Sequence, residues 1–213
     1  MNIELIYNTP LSIMAQAGRT AWNSFHKGGI YPTPTDNITD VDHDFLDRVI
    51  NKHRHGSVSE HISYNFKIDG ISRACLQELA RHRIASLTVK SSRYTLKELI
   101  KEEPFTDFNN RLDFKRAQKY IVETGNHNVD ITAFFMLEDL RMLVQEGISN
   151  DLTKYAMPES YKTSLVWTIN ARALRNFLEL RSKKSALWEI QEVANNIYNS
   201  LPDAHKFLYE GIK

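Results

Sequence analysis

The chain has 213 residues, 42% hydrophobic and 25% charged, with a formal net charge of +1. That is long enough to bury a real core without staples, and too neutral for a global field that would draw it to nucleic acid or membranes. A single cysteine, Cys75, excludes an internal disulfide and fits a reducing compartment. The opening residues Met1 to Leu5 show neither a basic start nor a long apolar run. No signal peptide or transmembrane segment is therefore expected, and the expected location is the cytoplasm.

In chain order, Asn2 to Tyr7 alternates as a short strand and stops at Thr9-Pro10. Leu11 to about Ser24 has helical spacing, and Gly28-Gly29 and Pro32-Thr33-Pro34 mark a loop. Asp40 or Asp42 is the expected cap of a helix carrying Phe45, Leu46, Val49 and Ile50 to near Arg54. His61 to Asp69 alternates, with Ile62, Tyr64, Phe66 and Ile68 on one face, and Gly70 is expected to end the strand. Ser72 to about Arg83 reads as a helix with Cys75, Leu76, Leu79 and Ala80 as its apolar stripe. Ser92 to Thr95 is expected as a short strand, and Lys97 to Asn110 as a charged surface excursion. Helices follow at Leu112–Glu123, Val129–Glu146 and Asp151–Met157, the last stopped by Pro158. Tyr161 to Ile169 reads as a strand. Asn170–Ser182, Ala186–Ser200 and a segment from Pro202 read as helices. The expected fold is a helix-rich α+β single domain, 1–213, around a small antiparallel sheet.

The chemistry gathers between Arg81 and Tyr94, RHRIASLTVKSSRY. Two guanidinium forks, serine hydroxyls and loop N–H groups suit phosphate oxygens. A solvated basic helix end is the plain alternative. Glu78, Arg81 and His82 are neighbours on one helix. Arg172 and Asn176, four apart, share a face; Asn170, Leu174, Leu178 and Arg181 form another row with an apolar middle. An arginine ending such a row needs an anionic or carbonyl partner, or snorkels to water. Cys75 sits mid-stripe and reads as packing rather than as a nucleophile. His53, His55 and His61 with Glu60 invite a metal reading, but no carboxylate cluster accompanies them, and no metal is expected. The same residues also admit two other classes: a nucleic-acid module using Arg81, Arg83, Lys90 and Arg93, and a metal-dependent hydrolase using the three histidines.

Arg81-His82-Arg83 followed seven residues later by Ser91 is the RHR-x7-S signature of the flavin-dependent thymidylate synthases, and the chain resembles that family. Ser91-Ser92-Arg93-Tyr94, His55-Gly56-Ser57-Val58-Ser59-Glu60-His61 and Asn170-Ala171-Arg172 with Asn176 resemble further segments of it. The resemblance implies reductive methylation of dUMP to dTMP without an enzyme nucleophile. It implies FAD as cofactor, methylenetetrahydrofolate and NADPH as co-substrates, and a homotetramer with shared active sites. FAD is then expected at His55, Ser57, Arg81, His82, Arg83, Ile84, Asn170, Arg172 and Asn176. The expected dUMP contacts are Glu78, Arg81, Val89, Lys90, Ser91, Ser92, Arg93, Lys154 and Arg181, with Arg181 catalytic. Val89 and Lys90 replace the acidic residue some members carry, and enter through their backbone N–H groups. Lys154, in Asp151-Leu152-Thr153-Lys154-Tyr155-Ala156-Met157-Pro158, stands where relatives often have arginine. No G-x-G-x-x-G fingerprint is present, so FAD is not expected on a Rossmann unit.

Overall fold

The computed structural model describes residues 1–212. Four strands, β1 (Asn2–Asn8), β2 (Ser63–Ser72), β3 (Ala85–Val89) and β4 (Lys162–Asn170), form one sheet in the order β1-β2-β4-β3. Neighbours run antiparallel: Thr9 N–H bonds the Ser63 carbonyl at 2.9 Å, and Ala171 N–H bonds the Ile62 carbonyl at 2.8 Å. The helices are α1 (Leu11–Ala21), α2 (Asp40–Asp47), α3 (Arg73–Ala80), α4 (Ser92–Thr95), α5 (Arg111–Ala117), α6 (His127–Gln145), α7 (Asn150–Thr153), α8 (Ala171–Arg181) and α9 (Trp188–Ser200). The α+β class is the one expected from the sequence. No described helix is long and apolar enough to cross a membrane.

The chain forms two compact units. One holds Met1, Asp69–Glu78 and Val89–Leu165; the other holds Asn2–Ile68, Leu79–Thr88 and Val166 onward. In the second, Ile62, Tyr64, Phe66 and Ile68 are all fully buried, as their alternation on β2 predicts. Phe66 leans on Trp167 of β4, and Trp167 meets Phe177 of α8 edge-on at 5.0 Å. The residue capping α2 is Thr39, whose side chain accepts from Asp42 N–H. Asp42 itself turns inward. It accepts from Arg19, from Gly29 N–H and from the Tyr31 hydroxyl, and so ties down the glycine loop. Gly29 needs its positive φ of 80°, and a Cβ there would sit 2.5 Å from Arg19. Burial pushes the Asp42 carboxyl up, but these donors outweigh it and hold it below the usual range. After α2 the chain makes a π-helical turn, Arg48–Lys52, and Arg54 adopts a left-handed φ of 54°.

His205 is fully buried in the same unit. Its Nδ1 lies 2.8 Å from the Tyr64 hydroxyl and its Nε2 2.8 Å from Asp36. Burial lowers the His205 pKa despite the facing carboxylate, so the ring is neutral, donating from Nε2 and accepting at Nδ1.

In the other unit the stretch 97–110 keeps most of its residues exposed, as expected, but it is anchored by Leu99 and Phe105, which are buried beside Leu96 and with Phe134, Leu137 and Leu140 of α6. Arg116 locks the stretch. It donates to Asp113, Glu102 and the carbonyls of Glu103 and Pro104, and its guanidinium lies 4.8 Å over Phe105. Arg116 and the N–H groups of Thr106 and Asp107 bring the Asp113 pKa down to about 2. Gly70 does not end β2: at φ 79° it lets the strand run on to Ser72, burying Ile71. Ser92–Thr95 is a helical turn, because the Ser91 carbonyl accepts from both Tyr94 and Thr95 N–H. The strand in this region lies earlier, at β3. The helix expected over Leu112–Glu123 ends at Ala117, and Ile121 pairs with Tyr161 as a β-bridge.

Candidate active site

A cleft of about 740 Å³ opens in the second unit. That is within the range of roughly 300–1,000 Å³ typical of small-molecule and cofactor sites. One wall is the segment after α3, Arg81, His82, Arg83 and Ile84; the other is α8, with Asn170, Arg172, Ala173, Asn176, Leu180 and Arg181; Glu60 completes it. The segment can be concave because α3 stops at Ala80 and the His82 N–H closes a turn on the Leu79 carbonyl. Helix α8 starts where it does because the Asn170 side chain caps it, accepting from Ala173 N–H at 2.8 Å. Leu174 and Leu178 are buried and Arg181, at the end of their row, is half-buried. Arg172 and Asn176 face the cleft from the neighbouring row, as their spacing predicts.

Three contacts shape the cleft that no short-range pattern shows. Arg172 donates to Glu60 at 2.6 Å. Its stem crosses Gly56, where a Cβ would come within 3.2 Å of Nε, so the glycine leaves room for the arginine. Arg181 Nε donates to His82 Nε2 at 3.0 Å. Glu60 thus lines the cleft and holds Arg172.

Of the residues expected at FAD, Arg81, His82, Arg83, Ile84, Asn170, Arg172 and Asn176 converge here. His55 and Ser57 are not among the lining residues. Both are exposed, and His55 packs against Trp22 and His53, with ring centroids 6.1 and 6.0 Å away. The described residues contain no group of three or more His, Cys, Asp or Glu able to hold a metal.

Of the residues expected at dUMP, Arg81 and Arg181 line the cleft. Glu78, Val89, Lys90, Ser91, Ser92, Arg93 and Lys154 belong to the other unit. There the Lys90 N–H bonds the Ser164 carbonyl at 2.8 Å. The Lys90 ammonium faces Glu98 at 3.3 Å. Arg93 grips Asp151 with two nitrogens, Nε to Oδ1 at 2.8 Å and Nη2 to Oδ2 at 3.2 Å. The Asn150 side chain also bonds the Arg93 carbonyl. Lys154 lies 5.9 Å over the Tyr155 ring. Asp151 was not singled out from the sequence, since 58 residues separate it from its partner.

A cationic cleft of cofactor size, on a helix-rich α+β scaffold whose described strands form a single four-stranded sheet, suits an enzyme that binds an anionic cofactor or nucleotide. Residues 4–205 match the family model described as thymidylate synthase complementing protein. The flavin-dependent thymidylate synthase of Wolinella succinogenes is 53% identical over 98% of this chain and 97% of its own length. That of Helicobacter pylori strain 26695 is 47% identical over 99% and 98%. A crystal structure of thymidylate synthase X from Helicobacter pylori with FAD and dUMP superposes with a TM-score of 0.91, at 47% identity, covering 100% of this chain and 99% of that one. The chain belongs to the flavin-dependent thymidylate synthase family.

Proposed function

We propose that this chain converts dUMP to dTMP as a flavin-dependent thymidylate synthase, with FAD as cofactor and methylenetetrahydrofolate and NADPH as co-substrates. The observation that carries the reading is the meeting of Arg81–Ile84 with Asn170, Arg172, Asn176 and Arg181 in one cleft. The lining fits a flavin dinucleotide. Arg81, Arg83 and Arg172 offer cations to a diphosphate, Asn176 an amide for hydrogen bonding, and Ile84 and Leu180 apolar contact. When bound, FAD supplies the hydride chemistry; the protein orients and polarises.

Arg181 is assigned the catalytic role. Its guanidinium, always protonated, favours negative charge on the pyrimidine carbonyls and raises electron density at C5 of dUMP. Ser91, Ser92 and Arg93 are assigned to the phosphate, with Glu78, Val89, Lys90 and Lys154 beside them. His55 and Ser57 are assigned to FAD on the resemblance of their segment alone. No enzyme nucleophile is needed, and the burial of Cys75 supports this. A cytoplasmic homotetramer with active sites assembled from more than one copy accounts for binding residues scattered along the chain. Residues 1–213 are taken as one functional domain, since the family match runs through both units.

The test is direct. Purified protein should show a flavin absorption band and form dTMP from dUMP, methylenetetrahydrofolate and NADPH. A protein that binds no FAD when it is supplied, and forms no dTMP, overturns the reading.

A further inference from the structure

We infer that His82 serves as the positioning residue of Arg181, and this rests on the thymidylate synthase reading above. Arg181 Nε donates to His82 Nε2 at 3.0 Å. An arginine has no acceptor atom, so the proton in this bond belongs to Arg181 and His82 Nε2 is the acceptor. The imidazole is therefore neutral, with its proton on Nδ1. Nε2 is engaged by Arg181 and is not a donor to a cofactor.

The bond matters because of where it falls. Arg181 ends α8, and its long flexible stem by itself leaves the guanidinium plane undetermined. The Nε–H lies in that plane, so a fixed acceptor at Nε sets its orientation. His82 is itself fixed. Its backbone N–H bonds the Leu79 carbonyl, and its ring stands edge-on to Phe177 at 4.9 Å and 81°. Phe177 is fully buried and meets Trp167 at 5.0 Å, so the chain of contacts reaches the sheet core. A guanidinium held in this way before substrate arrives is a preorganised donor, which is what charge stabilisation at a ring carbonyl requires. The histidine of the RHR run thus acts through an arginine 99 residues away.

The experiment uses the full chain with FAD bound. His82→Ala and Arg181→Ala should each lower dTMP turnover by roughly 10²–10³, and the double variant should be no worse than either single one. His82→Gln, whose Oε1 can accept from Arg181, should restore most of the rate; all variants should retain the flavin band. In parallel, ¹⁵N NMR of the unmutated chain should show His82 Nε2 unprotonated and Nδ1 protonated, and Arg181→Ala should disturb that tautomer. Additive losses in the double variant, loss of FAD as the main effect of His82→Ala, or a protonated Nε2 would each overturn the inference. If His82→Ala does not fold, His82→Gln and the tautomer measurement decide. Because the tautomer is read without turnover, failure of the pairing is distinguishable from failure of the thymidylate synthase reading.

Discussion

Residues 81–84 and residues 90–93 come from one short stretch of sequence, yet they end in different electrostatic surroundings. Four guanidinium groups, Arg81, Arg83, Arg172 and Arg181, line the cleft against one carboxylate, Glu60. Along the loop each strong cation faces its own acid: Lys90 faces Glu98 and Arg93 faces Asp151. A concave, net-positive wall attracts an anionic ligand as it stands. On the dUMP assignment proposed above, a neutralised loop would bind phosphate by exchange, with the phosphate taking the place of a carboxylate. The lesson is that a basic motif does not have one electrostatic character; the acids folded beside each part decide it.

The largest effect that tests this contrast is in the cleft. Arg181→Ala should fold, keep FAD and lose turnover by roughly 10²–10³, because a preorganised donor in a water-poor site is worth that much. Arg181→Lys should recover little, since a point charge lacks the fork. The assay is dTMP formation at saturating dUMP, with dUMP affinity from flavin absorbance changes. Near-normal turnover with unaltered affinity would remove Arg181 from the mechanism.

On the loop side, Arg93→Ala should weaken dUMP binding by about tenfold or more while changing uridine binding far less, as a charge-assisted bond to phosphate is lost. Equal losses for the two ligands would show that Arg93 does not read the phosphate.

Acid should separate the two units. In the second, the lowered pKa of His205 means the unfolded chain takes up a proton first. Its stabilising contribution is present above about 6.5 and is lost as pH falls through the folded value, at most about 1.4 kcal/mol per pH unit for one proton. Asp36, also held low, extends the loss to more acid pH. In the other unit Asp113, held down to about 2, keeps its contribution above the ordinary Asp value of 3.8 and loses it only between there and about 2. Hydrogen exchange between pH 7 and 4 should therefore show protection falling first around His205. Simultaneous loss in both units would break the contrast.

Smaller effects follow. Cys75→Ala should cost about 1 kcal/mol of stability or somewhat more, read by denaturant unfolding, while turnover survives. Loss of dTMP formation in a folded, FAD-bearing Cys75→Ala variant would overturn the mechanism without a nucleophile. Asp151→Asn should tighten dUMP by no more than about fivefold, since an exposed ion pair is worth about 0.2–1 kcal/mol, and leave uridine unchanged. Weaker dUMP binding in Asp151→Asn would mean that Asp151 helps hold the phosphate site rather than competing for it.

The sequence alone determined much of this protein. Alternation placed Ile62, Tyr64, Phe66 and Ile68 in the core, because side chains on a strand point to opposite faces with a period of two. Helical spacing put Arg172 and Asn176 on one cleft wall and left Arg181 at the end of a buried row. The RHR-x7-S spacing carried the family. These are local regularities, and a chain states them directly.

What only the tertiary structure decided are pairings between residues far apart. Glu60 with Arg172 spans 112 positions, His82 with Arg181 spans 99, and Arg93 with Asp151 spans 58. The same holds for 97–110, where Arg116 collects the carbonyls of Glu103 and Pro104 from 13 and 12 positions further along the chain. Propensity acts on neighbours within a turn or two, whereas a hydrogen-bond partner is chosen by whichever group the fold brings within about 3 Å. Which arginine faces a ligand, which faces a carboxylate and which is steadied by a histidine is therefore settled by packing.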